Sequence, residues 1–271
     1  MLRHRSVGLP VGSLVGAAVV AVALGALPAG AASTTTTTAA AGTDATGSTT
    51  TTTKPVSPKS LLATSLAAAR SQKSVHFEAD STLGTQSIDI TADVAATKSR
   101  ETIVVTSGGQ SGHVSARMVH RAVYFKGDTT GLEGYLGMAS TLAPKYAGTW
   151  IRFSPSDPTY KAISKAMSMA SAVGQISVKA PVADGGSSTI NGKAVTSITG
   201  TTTALGSKGP AALYLPAQGT VLPLRYTASG TEKSSGKTGK KVKATGQVDF
   251  TSWGETFTVT APAKSVAASS V

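Results

Sequence analysis

Five short runs between Val75 and Gly127 alternate apolar and polar residues, with tight-turn signals between them. They are Val75–Leu83, Ile88–Val94, Glu101–Thr106, His113–Met118 and Ala122–Lys126, and Gly84-Thr85-Gln86 and Gly108-Gly109 fill two of the gaps. Successive side chains of an extended chain point to opposite faces, so each run has one apolar and one wet side. Short gaps make the runs neighbours, which gives an antiparallel meander with a single apolar face. Phe77, Ile88, Ile90, Val94, Ile103, Val105, Val114, Met118, Val123 and Phe125 make up that face. It requires a cover: tightly packed helices would make it a core, loosely packed ones the wall of a pocket.

Ser57-Pro58-Lys59-Ser60 opens a helix with a hydroxyl cap and a proline in the first turn, and Leu61, Leu62, Ser65, Leu66 and Ala69 line one side of it. From Thr130 the period turns helical again, with Leu132, Tyr135, Leu136, Ala139 and Leu142 as one stripe. Gly131, Gly134 and Gly137 interrupt that stripe, and each costs about 1 kcal/mol against alanine, so this segment reads as a movable cover. A short strand over Thr149–Phe153 follows, and then Ser156-Asp157-Pro158 caps a helix carrying Tyr160, Ile163, Met167 and Ala170 on one side. Met138, Met167 and Met169 add soft side chains that suit varied apolar partners or simply fill core gaps. Strands return from Ile176, with a type I′ hairpin signal at Asn191-Gly192 and runs at Ala211–Leu215 and Val221–Tyr226 flanking Gln218-Gly219. Tyr226–Glu232 pairs with Lys240–Phe250 across a Lys/Ser/Gly turn, and Ser252–Thr260 is the last run. The fold class is α+β, with about 10 or 11 strands.

The 271 residues carry 25 Lys and Arg against 13 Asp and Glu, and no cysteine, which removes disulfides, thiol chemistry and a lipid-modified N-terminal cysteine. Arg3, His4 and Arg5, an apolar stretch from Leu14 to Leu27 and the small residues Ala29 and Ala31 read as an export signal over 1–31, cut after Ala31. The rival reading is a retained anchor, since Val7 to Ala32 is long enough to span a bilayer. Residues 32–59, rich in Thr, Ala, Gly, Ser and Pro, bury too little to order themselves and form a linker, bare or O-glycosylated. The domain then covers 60–264, and 265–271 is expected as a disordered tail. A basic exported chain is drawn to anionic membrane or cell-wall polymer, and nucleic acid is a poor fit because the basic cluster lacks interleaved aromatics.

The order of elements resembles that of the LolA-like superfamily of exported lipid carriers, in particular the actinobacterial LppX/LprAFG-type proteins. The meander, Tyr146-Ala-Gly-Thr-Trp150, Gln218-Gly-Thr-Val-Leu-Pro-Leu-Arg225 and the closing stretch from Asp249 to Pro262, with its Trp253-Gly-Glu255, carry the likeness. It implies a strongly curved antiparallel sheet, a half-barrel with helices on the concave face, and acyl chains held between the two. Many of those relatives are lipoproteins, whereas no cysteine stands at the expected cleavage site here.

Gly230-Thr-Glu-Lys-Ser-Ser-Gly-Lys-Thr238 has five residues between its glycines where a phosphate loop has four, and it lies in a hairpin turn. The histidines form no metal-binding pattern, and Glu78, Asp80, Asp89 and Asp93 fall on wet strand faces. No enzyme, metal or cofactor is expected. The leading expectation is a secreted monomer that binds a lipid or other amphiphile through Phe77, Ile90, Ile103, Val105, Phe125, Leu132, Leu136, Ile163 and Met167. Lys233, Lys237, Lys240, Lys241 and Lys243 form a basic cluster, either a solvated hairpin that guards an edge or a patch for an anionic surface. The alternative function is a wall-associated structural or sensory domain with a filled core and no ligand.

Overall fold

The computed structural model describes residues 56–205, 208–233 and 241–271. The expected export signal, nearly all of the expected linker, Lys237, Lys240 and most of the phosphate-loop-like turn lie outside the described residues.

The meander is present as five strands: β1 (Ser74–Leu83), β2 (Gln86–Ala95), β3 (Ser99–Ser107), β4 (Gln110–Val119) and β5 (Ala122–Gly127). Burial alternates along β1–β4 as the sequence requires, whereas Ala122 to Phe125 of β5 are buried on both faces, and the five belong to one sheet that also contains β6 (Ile151–Phe153), β7 (Lys179–Ile190), β8 (Lys193–Thr202), β9 (Gly209–Pro216), β10 (Arg225–Lys233), β11 (Lys241–Trp253) and β12 (Val266–Ala267). The order across the sheet is β12-β6-β5-β4-β3-β2-β1-β11-β10-β9-β8-β7, antiparallel except for β12 beside β6. The twelve strands exceed the expected number because the chain's last residues, expected as a disordered tail, pair with β6. A 3-10 turn at Ala268–Ser270 follows, and Tyr146 donates a hydrogen bond to the Ser270 carbonyl.

Among the described residues five helices accompany the sheet: α1 (Pro58–Ser71), α2 (Thr129–Leu136), α3 (Ala143–Tyr146), α4 (Tyr160–Ala166) and α5 (Met169–Gly174). Ser57 caps α1 as expected, its hydroxyl accepting from the Ser60 amide. Three other expectations are corrected. The stripe from Leu132 to Leu142 is not one helix, because Gly137 takes a left-handed conformation (φ 66°) and ends α2 after Leu136. The helix expected from Ser156 onward is two, because the Ser168 hydroxyl accepts from the Ser171 amide and starts α5 afresh. Val221–Leu224 is not strand: Pro223 has no amide for a ladder, and its carbonyl instead accepts from the Trp253 indole.

The last expected run, Ser252–Thr260, also departs. β11 ends at Trp253, and since β1 is already paired on both edges, residues 254–264 cross the outer face of the sheet as a strap. The Gly254 amide donates to the Ser74 carbonyl at 2.9 Å, Lys98 to the Phe257 carbonyl, and Arg117 to the Thr260 carbonyl at 3.1 Å. Val259 packs with Val119, Ala122 and Tyr124, and the strap ends where Val266 meets Ile151.

Helix α2 is fastened to the sheet by backbone contact. A Cβ added at Gly131 would stand 2.4 Å from the His113 carbonyl oxygen, and one at Gly112 would stand 2.2 Å from the Gly131 nitrogen. The Asp128 carboxylate caps α2 at the Gly131 amide and also accepts from the His113 amide of β4. Gly131 and Gly137 are therefore requirements of packing and termination, and α2 is not the movable element its glycines suggested. Gly134 differs, since a Cβ there would meet Val105 at 3.4 Å. Gly131→Ala is expected to destabilise the protein by roughly 1–3 kcal/mol through forced overpacking, while Gly134→Ala is neutral or stabilising by up to about 1 kcal/mol. Urea denaturation of the two variants checks the contrast.

Candidate functional site

Strand register arranges the inner face in rows. One row runs Phe250, Phe77, Ala92, Glu101, Ala116, Phe125 and Ile151 across β11, β1, β2, β3, β4, β5 and β6. Phe77 and Phe125 stand four strands apart, roughly 19 Å at the usual strand spacing. Between them the floor consists of two alanine methyl groups and the Glu101 carboxyl. Large rings stand at the two ends of this row. The Phe77 and Phe250 rings lie 6.3 Å apart, and Phe125 meets Phe153 edge-on at 5.8 Å and Tyr135 at 6.3 Å. The neighbouring row runs Val75, Val94, Ser99, Met118, Val123 and Phe153.

Helix α2 covers β3, β4 and β5, α5 touches β2, and α4 touches β5. The expected ligand-binding residues divide among these positions. Phe77, Ile90, Ile103, Val105, Phe125 and Met167 are buried in one apolar cluster, with Leu136 and Ile163 partly buried against it. Leu132 turns elsewhere, into a smaller cluster with Ala143 and Ile151. A side chain that lined an open cavity would keep accessible surface facing it, yet Ile103 is 0% and Phe125 only 3% exposed. In this arrangement these side chains lie against protein.

The sequence reading passed over Glu101. It shares its face with Ile103 and Val105, so the period-two pattern that placed those two inward also places Glu101 inward. Glu101 is 5% exposed and makes no hydrogen bond or ion pair with the described residues. Burial alone pushes its carboxyl up to about 7. Ala92 and Ala116 flank it on β2 and β4, and the titratable group nearest in effect is Tyr135 of α2, whose hydroxyl is raised by burial and then by the Glu101 charge. Two residues away, Ser99 is 0% exposed, and its hydroxyl also lacks a partner.

The outer face carries a different arrangement. His76, Asp93, Arg100 and Arg117 lie in register across β1–β4. His76 Nδ1 lies 2.8 Å from one Asp93 oxygen and Arg100 donates to the other at 2.6 Å. Burial opposes ionisation of Asp93, but the hydrogen bonds from Arg100 and His76 outweigh it and hold the carboxyl below its usual range. A cleft of about 300 Å³ opens here beneath the strap, lined by Ser74, Val75, His76, Asp93, Arg100, Ser252, Glu255, Thr256 and Phe257. It is half open and mostly polar, and none of the expected ligand-binding residues lines it. Among the described residues no group of three His, Asp or Glu could hold a metal ion, and no helix is long and apolar enough to cross a membrane. The backbones of Lys233 and Lys241 pair across the β10–β11 hairpin, and the Lys241 and Lys243 side chains are exposed.

No family model and no curated protein matches this chain. Solved structures do. The chain is similar to LprF and LppX. LprF from Mycobacterium bovis is 16% identical with a TM-score of 0.48, the likeness covering 76% of this chain and 97% of that one. The lipoprotein LppX from Mycobacterium tuberculosis is 18% identical with a TM-score of 0.44, covering 75% and 98%. An uncharacterized conserved protein from Thermus thermophilus is more distant, at 9% identity and a TM-score of 0.35, covering 77% and 96%. LprF and LppX are of the type named from the sequence. With identities and TM-scores this low, the functional reading rests on the geometry of the site.

Glu101 gives a pH signature with a definite sign. Its folded value of about 7 lies above the 4.5 of a free glutamate, so the folded state holds the proton more tightly. Stability from this group is full at acid pH and is lost as pH rises through about 7, by about 3 kcal/mol at most. Glu101→Gln should remove that loss, so wild type and variant should diverge progressively between pH 5 and pH 8 in urea melts.

Proposed function

We propose that this protein is an exported, non-enzymatic carrier that holds an acyl-bearing amphiphile between the inner face of β1–β5 and the helices above it. The observation that carries the reading is the weakness of one part of that cover. Helix α4 has no buried residue, its N-terminus has no side-chain cap, and it lays Tyr160 and Ile163 only partly buried against the main cluster. Lifting α4 exposes little new apolar surface, on the order of 1–2 kcal/mol for each of these side chains. An acyl chain of a dozen methylenes entering the interior gains on the order of 10 kcal/mol at about 0.8 kcal/mol each. The balance favours opening around a ligand and closure without one.

In this reading the sheet curves as a half-barrel around the helices, α4 swings about the Met167-Ser168 break, and α2 remains fixed. The chain works as a monomer outside the cytoplasmic membrane, and Lys241 and Lys243 face anionic lipid or wall polymer. The second reading, a packed structural or sensory domain, is favoured by one observation: the near-complete burial of Ile103, Phe125 and Met167.

Titration with a fluorescent sixteen-carbon fatty acid separates the two. The carrier predicts saturable binding at one equivalent and slower amide exchange in α4 when the ligand is bound. Absence of binding, together with α4 amides as protected as those of β3 in the free protein, would overturn it.

A further inference from the structure

Among the described residues the buried hydroxyls of Ser65 on α1 and Ser99 on β3 have no hydrogen-bond partner, and the Glu101 carboxyl, 5% exposed, is acted on by burial alone. Ser99 and Glu101 point from β3 into the same apolar layer, roughly 7 Å apart by strand geometry. Buried polar groups in folded proteins are paired almost without exception, and those that are not call for an explanation. Misplacement by irregular backbone does not supply one, because β3 pairs with β2 and β4 in unbroken register along this stretch. Within the sheet both cross-strand neighbours of Glu101 are alanine, with Phe77 and Phe125 beyond them, and from the helical side Tyr135 of α2 lies near enough for the Glu101 charge to act on its hydroxyl.

We propose that Ser99 and Glu101 form a polar anchor inside the carrier site and select amphiphiles that bear a hydroxyl group on the buried part of the chain. This inference rests on the carrier reading and adds the class of ligand. A protonated Glu101 can donate one hydrogen bond and accept others, an ionised one only accepts, and the Ser99 hydroxyl does both. A ligand hydroxyl is matched by either state of the carboxyl. A plain acyl chain leaves both groups as they are, and so forgoes the gain.

Competition against a fluorescent fatty acid tests the assignment, with 12-hydroxystearic acid and stearic acid as probes and the full chain at pH 7. Wild type is expected to bind the hydroxylated acid at least tenfold more tightly. Glu101→Leu is expected to abolish the preference, bringing the two acids to equal affinity, and Ser99→Ala to reduce it severalfold. Glu101→Gln, which keeps a donor and an acceptor and matches the native side chain in size, serves if the leucine variant does not fold, and should retain part of the preference. Equal affinity of the two acids for wild type, or a preference that survives Glu101→Leu or is untouched by both Glu101→Gln and Ser99→Ala, would overturn the anchor while leaving the carrier intact. Failure of both acids to bind wild type would overturn the carrier reading and the anchor with it.

Discussion

The apolar inner face of β1–β5 has to be kept from water, and the rest of the molecule is arranged around that need. Its cover is unequal. At one end α2 lies with its backbone against the backbone of β4, an approach that requires glycine at Gly112 and Gly131 and that Asp128 ties down from both elements. Beside it α4 rests on β5 through partly buried side chains only. A sheet covered equally well everywhere would be a core and nothing more. The difference in fastening between α2 and α4 is the feature on which the proposed opening rests.

The outer face is held by other means. Its charged row is partnered: Asp93 bridges His76 and Arg100, and Arg225 pairs with Asp249 through both guanidinium and carboxylate positions. Over it the strap joins β11 to the far edge of the sheet, with Lys98 and Arg117 supplying donors to carbonyls that no ladder satisfies. Arg117 and Lys126 also stack on Trp150, with 4.8 Å and 5.3 Å to the ring centre. Each exposed contact of this kind contributes little alone. Together they make the outer side of β1–β6 an unpromising place for movement, which again directs opening to the helices.

The meander was legible because period two, glycine turns and burial agree along it, and the Gly108-Gly109 and Asn191-Gly192 turns both have the positive φ that their residues favour. The β4–β5 turn gave no such signal, since His120 and Arg121 take positive φ without glycine or asparagine. Where the reading departed, a local cue competed with a longer pattern: Gly137 cut the α2 stripe, Ser168 divided the next helix, and Pro223 broke a strand-like run. The strap was illegible for a different reason, because whether an alternating run adds to a sheet or crosses it depends on which edges are free. The candidate site was half legible. Alternation identified Phe77, Ile90, Ile103, Val105 and Phe125 as inward, while attention to apolar residue types alone passed over Glu101, and Leu132 belongs to a second cluster that only the position of α2 defines.

The carrier reading requires that an amphiphile sit between sheet and helices in the protein's own setting. Native mass spectrometry of the full chain purified from its host without detergent addresses this directly. The account predicts a species heavier than the bare chain by one non-covalently held amphiphile, released on unfolding and recovered in an organic extract. A spectrum containing only the bare chain, with an extract empty of lipid, would contradict it.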